Sequence, residues 1–358
     1  MTSMPDPAPR ITGGVDTHRD FHVAAALDEM GTALATAQFA TTRAGYLDLV
    51  AWLESFGEVA RVGVEGTGSW GKGLTRVLTQ SGISVVEVIR PNRQTRRRYG
   101  KSDITDAIAA ARAVLNGEAS AQPRDPQGPV ESIRLLKVAR SSAIKQRSAV
   151  ANQIHAVLST ATEPVRGPLT TMTLVRIINR VTRYRPGDVS CPTQAAKLAL
   201  KTLGQRHRNL STEIETIDEH LTTLVELAAP PELINMFGVG TQTAAELLIT
   251  AGSNPQRITS EASFAALCGV SPVDASSGKQ IRHRLNRGGD RQANSALYRI
   301  VIVRLRHHQP TRQYMERRTA QGLTKKEIIR CLKRYLAREI WQHLTNHQTH
   351  QHTIPKAA

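Results

Sequence analysis

Residues 11–27 read "ITGGVDTHRDFHVAAAL". Two largely apolar runs, 11–15 and 21–27, flank a polar stretch holding Asp16, His18, Arg19 and Asp20. The pattern predicts a strand that closes on Asp16 and an antiparallel hairpin partner that returns beside it. Working outward, "GTALATAQFA" (31–40) predicts a third strand and "RAGYLDLVAWLESF" (43–56) a helix. "VARVGVEGT" (59–67) then predicts a strand closing on Glu65, followed by a helix around 70–78, the strand "ISVVEVI" (83–89) and a helix beginning near Asp103. Strands alternating with helices in this order predict an α/β domain, a mixed sheet flanked by helices.

Beyond that domain, "NGEASAQPRDPQGPV" (116–130) holds three prolines and two glycines with almost no apolar periodicity, so it reads as a linker. From residue 131 the pattern is helical. Leu210, Ile214, Ile217, Leu221 and Leu224 recur at alternating spacings of four and three, a coiled-coil seam or an intramolecular helix hairpin. Pro230 and Pro231 end the run. "MFGVGTQTAAELL" (236–248) then suggests a helix-hairpin-helix turn whose amides can approach a phosphate, or an ordinary glycine turn. The expected division is 1–115, a linker at 116–130, a helical region at 131–229, a mainly helical domain at 230–342 and a polar tail at 343–358. That tail carries His343, His347, His350 and His352; a frayed polar terminus is a plainer reading of it than a metal site.

Composition narrows the chemistry. The chain has 358 residues and a net charge of +17, concentrated in clusters, which favours a polyanionic partner such as nucleic acid. Aromatic residues make up only 4%, so phosphate contacts should outweigh base stacking. Cys191, Cys268 and Cys331 form no C-x-x-C pair, which argues against a zinc module or a disulfide framework. No apolar run approaches the roughly 20 residues of a membrane helix, and the N-terminus lacks a signal-peptide core. The expectation is a soluble cytoplasmic protein, associated with the bacterial nucleoid and with no membrane partner.

Four carboxylates stand out. Asp16 and Glu65 each follow a short apolar run and should emerge at strand ends. Asp103 and Asp106, in "KSDITDAIAAAR", are three apart at a helix start and can share a face, although acids in a first turn also favour the helix dipole. Converging in one sheet, such a set would repel itself unless cations sat between the carboxylates. Two Mg²⁺ ions about 3.5–4 Å apart meet that need and suit phosphodiester chemistry. Arg90, Arg93, Arg96, Arg97, Arg98 and Lys101 lead directly into Asp103, placing candidate phosphate contacts beside the acids.

A second constellation lies in "SPVDASSGKQIRHRLNRGGDR" (271–291). Here Ser276 and Ser277 precede Lys279, Arg282, Arg284, Arg287 and Arg291, with no histidine–carboxylate pair arranged beside them. By itself, this stretch is better explained as a Ser-Gly turn in a solvated basic loop.

The order "GVDTHRD", "VEGTGSWG", "KSDITDA", helical spacer, "MFGVGTQTAAELL", then "FAALCGVSPVDASSGK" and "RLNRGGDRQANSALY" resembles the DEDD-type insertion-sequence transposases related to the Piv/MooV invertases. The resemblance spans roughly 11–340. It implies a RuvC-like, ribonuclease-H-type first domain in which Asp16, Glu65, Asp103 and Asp106 bind Mg²⁺, with Mn²⁺ as a substitute. It also implies a serine nucleophile at Ser277, with Ser276 as the nearby competitor. A phosphoserine–DNA intermediate follows, which preserves phosphodiester energy for rejoining. The implied partners are donor and target DNA, a structured noncoding bridge RNA, and copies of the same chain forming dimers that pair into tetramers with active sites combining domains of different protomers. One departure is His18-Arg19, where many members place a lysine near the first aspartate. A site-specific DNA invertase, a metal-dependent junction-resolving nuclease and a non-catalytic nucleic-acid-binding protein are the alternative readings.

Overall fold

The computed structural model describes residues 9–88, 102–124, 128–274, 276–277, 283–284, 286 and 288–351. Two compact units divide the chain at Pro126 and Gln127.

The first unit is built on one five-stranded sheet. β1 (Arg10–Thr17) lies at its centre, antiparallel to β2 (Phe21–Leu27) and parallel to β4 (Glu58–Glu65). β3 (Ala33–Ala40) pairs antiparallel outside β2, and β5 (Val85–Val88) pairs parallel outside β4, giving the order β3-β2-β1-β4-β5. α1 (Arg43–Glu54) and α2 (Lys72–Gln80) cover one face, where Leu49, Leu53, Leu74 and Leu78 meet Ile11, Val15, Val62 and Val64. The expected order of strands and helices is therefore the observed one. The helix expected around 70–78 starts two residues later, leaving Trp70 in the preceding turn.

The opposite face carries α3 (Asp103–Leu115). Its Ala107 and Ala111 pack with Val23, Ala25 and Leu27, while Ala110 and Val114 pack with Val86 and Val88. Such close seating requires missing side chains beneath the helix. Gly14 on β1 pairs in register with Gly63 on β4. A Cβ on Gly14 would stand 2.7 Å from the Ala111 Cβ and closer still to the backbone of Ala107 and Ala111. A Cβ on Gly63 would stand 2.7 Å from Val114 Cγ2. Neighbouring Gly13 points to the other face, where a Cβ meets only the Leu53 and Val62 side chains, at 3.1 Å.

The second unit is largely helical. α4 (Gly128–Thr160) and α7 (Pro192–Ala228) pack along each other as a long hairpin. The short helices α5 (Glu163–Arg166) and α6 (Leu174–Val181) cover its far end. Leu210, Ile214, Ile217 and Leu221 are buried within this unit, so of the two readings of the seam the intramolecular hairpin is the one formed. α4 begins at Gly128, inside the stretch read as linker, because the apolar Val130 and Ile133 already belong to the core. Lys137, buried on α4, sits 2.8 Å from Glu246 and donates to Gln242, which in turn donates to Asp218, the bidentate partner of Arg140.

Beyond the hairpin follow α8 (Pro231–Ile234), α9 (Thr241–Ala251) and α10 (Glu261–Leu267). Gly238, with φ at 85°, makes the tight turn before α9, but α8 is a single turn, shorter than the first arm of a helix-hairpin-helix. β6 (Val273–Asp274) and β7 (His283–Arg284) form a minimal hairpin. α11 (Arg291–His307), α12 (Gln309–Ala320) and α13 (Lys325–Gln351) complete the unit. α13 runs through the residues expected as a frayed tail because Leu336, Ile340 and Leu344 anchor it in the core. No helix among the described residues is long and apolar enough to cross a membrane.

Seating α3 on bare backbone has a measurable cost if disturbed. Gly14→Ala should destabilise the first unit by about 1–3 kcal/mol, the usual range for overpacking a rigid contact. Gly13→Ala, which meets only flexible side-chain ends, should cost less. Urea denaturation of the full chain checks the ranking; equal midpoints for both variants contradict the close contact.

Candidate metal centre and serine hairpin

Residue alternation along a strand decides which side chains meet α3. On β1, Gly14 faces α3, so Asp16, two residues on, faces the same side. On β4, Gly63 faces α3, and Glu65 follows by the same rule. Val15 pairs with Val64, which puts Asp16 and Glu65 side by side at the C-terminal ends of two parallel strands. Thr17 strengthens the junction by donating its hydroxyl to the Glu65 carbonyl at 2.8 Å.

α3 brings the other two acids. Ser102 caps it, accepting from Thr105 N–H at 3.2 Å. Asp103 and Asp106 then fall in the first turn, where the helix dipole favours carboxylates. Asp106 is buried, with 4% of its surface exposed, and Asp16 retains 8%.

The sequence did not reveal the part played by His18. Its Nε2 lies 3.3 Å from an Asp16 oxygen and 3.3 Å from an Asp103 oxygen. Ligand atoms of Asp16, His18 and Asp103 all lie within 4.8 Å of one another, a span that a single cation can bridge. His18 is held from below: its backbone N–H reaches Phe21 O at 3.2 Å and His22 Nδ1 at 3.3 Å, and the buried His22 ring stacks on Tyr46. Burial pushes His22 below the usual histidine range.

Burial also raises the pKa of the Asp16 carboxyl. His18 opposes the shift, while Asp106 and Asp103 add to it. The electrostatic influence of both helix acids on Asp16 marks them as neighbours of one centre. Carboxylate oxygens with an imidazole nitrogen form a donor set suited to a divalent cation.

In the second unit, Ser276 and Ser277 differ. Ser276 donates twice to Asp274 Oδ1, a short hydrogen bond from its hydroxyl and one of 2.9 Å from its backbone N–H. Ser277 is exposed, and among the described residues no hydrogen bond engages its hydroxyl. Of the basic residues singled out, Arg284 lies exposed on β7 and Arg291 opens α11. Arg90, Arg93, Arg96, Arg97, Arg98, Lys101, Lys279, Arg282 and Arg287 lie outside the described residues.

Residues 13–162 match an IS110 DEDD family model described as a transposase, and 231–316 match the "Transposase IS116/IS110/IS902 family". The chain carries IS110-family transposase domains. The first match contains all four acids, and the second contains both serines. An uncharacterized 43.6 kDa protein of the insertion element IS110 from Streptomyces coelicolor is 31% identical over 150 residues, covering 41% of this chain and 34% of that protein. An uncharacterized 42 kDa protein of the insertion element IS900 from Mycobacterium paratuberculosis is 27% identical over 176 residues, covering 48% and 43% respectively. This chain thus spans less than half of the length of either relative. DEDD transposase domains suggest a divalent metal, and Asp16, His18 and Asp103 provide a cluster able to hold one.

A raised folded-state pKa means that the native state binds more protons than the unfolded state. Stability is therefore lost as pH rises from the ordinary aspartate value, about 3.9, through the raised one. Asp16→Asn should accordingly raise the melting temperature of the metal-free chain in EDTA, and more at pH 8 than at pH 4. An unchanged or lower melting temperature at pH 8 would contradict the strained carboxylate.

Proposed function

We propose that the chain is a DNA transposase or recombinase of an insertion sequence, cutting and rejoining strands through a serine-linked intermediate. The observation carrying this reading is the cluster of Asp16, His18 and Asp103, whose ligand atoms lie within 4.8 Å of one another where α3 meets the end of β1, with Asp106 on the same helix turn and Glu65 ending the neighbouring strand. The antiparallel β3-β2-β1 run continued by parallel β4 and β5 supports a ribonuclease-H-type, RuvC-like fold for this unit.

Asp16, Glu65, Asp103 and Asp106 would hold Mg²⁺, with His18 beside Asp16 and Asp103. When bound, such ions stabilise negative charge on a phosphodiester undergoing substitution. The protein's own part is to fix four acids on rigid elements and to keep Asp16 buried.

The second unit supplies the nucleophile in this reading. Ser277 Oγ attacks phosphorus, its proton passes to a base or to water, and a P–Oγ bond forms. The bond from phosphorus to one sugar oxygen breaks, and that oxygen leaves as a hydroxyl after taking up a proton. Attack by the leaving or an exchanged hydroxyl reverses the step and frees the serine. No phosphoanhydride is consumed, because each bond broken is replaced by one of similar energy. An unengaged hydroxyl at Ser277 suits this role better than Ser276, whose hydroxyl is tied to Asp274.

Donor and target DNA are the proposed substrates. The charge of +17 also accommodates a structured guide RNA pairing with both DNAs. Dimers and tetramers remain part of the proposal, but a partner helix cannot use Leu210, Ile214, Ile217 or Leu221 while the hairpin is closed.

The test is covalent trapping with Mg²⁺, labelled DNA junctions and the element's own RNA, resolved on denaturing gels. Ser277→Ala and Asp16→Asn should each reduce the protein–DNA adduct by at least about 100-fold, as expected when groups act as one catalytic unit. Ser276→Ala should retain it. Metal-dependent cleavage without an adduct, indifferent to Ser277→Ala, would instead identify a resolvase-like nuclease.

A further inference from the structure

The second unit contains a cavity of about 820 Å³, within the range of small-ligand sites. One wall is the segment leading into the serine hairpin, Gly269 to Pro272, together with His283 and Arg284 of β7. Residues of α13 and the end of α12 form the opposite wall.

Its charge is one-sided. Arg284, Arg318, Arg330, Lys333 and Arg334 line it, against the single carboxylate of Glu327. Arg334 is already committed to Glu261 at 2.9 Å, and Glu327 caps the start of α13 by accepting from Thr324 N–H at 2.8 Å. The other cations have no carboxylate partner among the described residues.

Lys333 is the informative one. It is buried, with 7% of its surface exposed, yet its ammonium donates to a neutral group, Asn294 Oδ1, at 2.8 Å. Asn294 cannot turn away, because its own amide is held by Cys268 O and Gly269 O. Burial, and next to it Arg330, lower the Lys333 pKa. Arg318, whose Nη1 donates to Gln321, adds a second unmet demand: its Nε is buried and has no hydrogen-bond partner among the described residues. An unpaired buried cation is costly, and an anion entering the cavity removes that cost.

An aromatic surface stands beside these charges. Tyr335 lines the cavity, is 52% exposed and is braced edge-on by Tyr314 at 5.7 Å. A cationic pocket with an exposed, braced ring has the two parts needed for a nucleotide: a phosphate seat and a stacking platform.

We propose that this cavity seats one nucleotide of a bound nucleic-acid strand, its phosphate among Lys333, Arg330 and Arg318 and its base on Tyr335. The proposal rests on the nucleic-acid reading above and adds a subsite to the serine-bearing domain. It makes the hairpin's base, through Arg284, one wall of the seat.

The experiment is fluorescence anisotropy of the full chain with a labelled single-stranded DNA of about 12 nucleotides, in the size range of single-strand sites, across a salt series. Arg330→Gln, an exposed position, should weaken binding about threefold to tenfold and reduce the salt slope by about one. Tyr335→Leu should weaken binding about tenfold with the slope unchanged. AMP should compete, whereas inorganic phosphate, lacking a base, should compete poorly. Lys333→Met is expected to do the most harm, but it can also unfold the core, so Arg330 and Tyr335 decide. Wild-type affinity and slope in both variants overturn the cavity while leaving DNA binding intact. If both variants weaken binding but no serine adduct is ever trapped, the cavity stands and the recombinase reading fails. Competition by phosphate as strong as by AMP, with Tyr335→Leu silent, overturns the nucleotide in favour of a free-phosphate site.

Discussion

A helix can carry catalytic groups to a sheet only as accurately as the two surfaces fit. Here the fit is backbone to backbone: α3 lies on Gly14 and Gly63, with Ala107, Ala110 and Ala111 on its underside. Small residues on both sides leave no side-chain layer to absorb a shift. The helix start is therefore fixed relative to the strand ends, and Asp103 and Asp106 are fixed relative to Asp16 and Glu65. Functional groups must be held to within roughly 0.5 Å of a productive geometry. A methyl group under α3 exceeds that tolerance. The opposite face, where α1 and α2 meet the sheet through leucines and valines, is ordinary side-chain packing and positions none of the four acids.

Buried charge is handled in two ways. In the helical hairpin, Lys137 has Glu246 and Gln242, and Asp218 has Arg140 and Gln242. Each charge there is paired and hydrogen-bonded, the condition under which buried ions are tolerated. Asp16 and Lys333 depart from it. Asp16 is buried beside two further acids and, among the described residues, is relieved by His18, while Lys333 is buried against an amide. Stability alone would not select either arrangement. Both make sense where an external charge is to be bound, a cation in the first unit and an anion in the second.

Much of the first unit is legible because its signals are local. Apolar runs give strands, and two acids three apart ahead of an alanine-rich run give a helix start near Asp103, so the four acids could be placed at strand and helix ends from the text alone. His18 was not legible as a site residue, since its proximity to Asp103 spans 85 positions and arises only when α3 docks. Gly14 was equally silent: glycine within a strand says that something approaches, not what does. In the second unit the spacing of Leu210 to Leu221 announced a buried stripe but not its partner, because an intramolecular and an intermolecular helix satisfy the same period. The cavity draws on residues from 269 to 335 and has no linear signature.

In the proposed reaction the serine hairpin carries the nucleophile, and this bears on how such an enzyme could be controlled. Among the described residues β6 and β7 contribute two residues each, and a two-stranded ribbon is marginal without a surface to pack on. Asp274 stiffens the approach by holding Ser276 twice, through its hydroxyl and its backbone N–H, leaving Ser277 as the next hydroxyl, unengaged among the described residues. A nucleophile carried on a two-stranded ribbon acquires its final geometry from whatever packs against it. In the proposed reaction that is the nucleic acid itself, with Arg284 reaching from the hairpin into the cationic cavity. Attack would then be confined to strands that fill the cavity and order the hairpin. A hydroxyl competent against any phosphodiester would be a hazard to its host; one completed by its substrate would not.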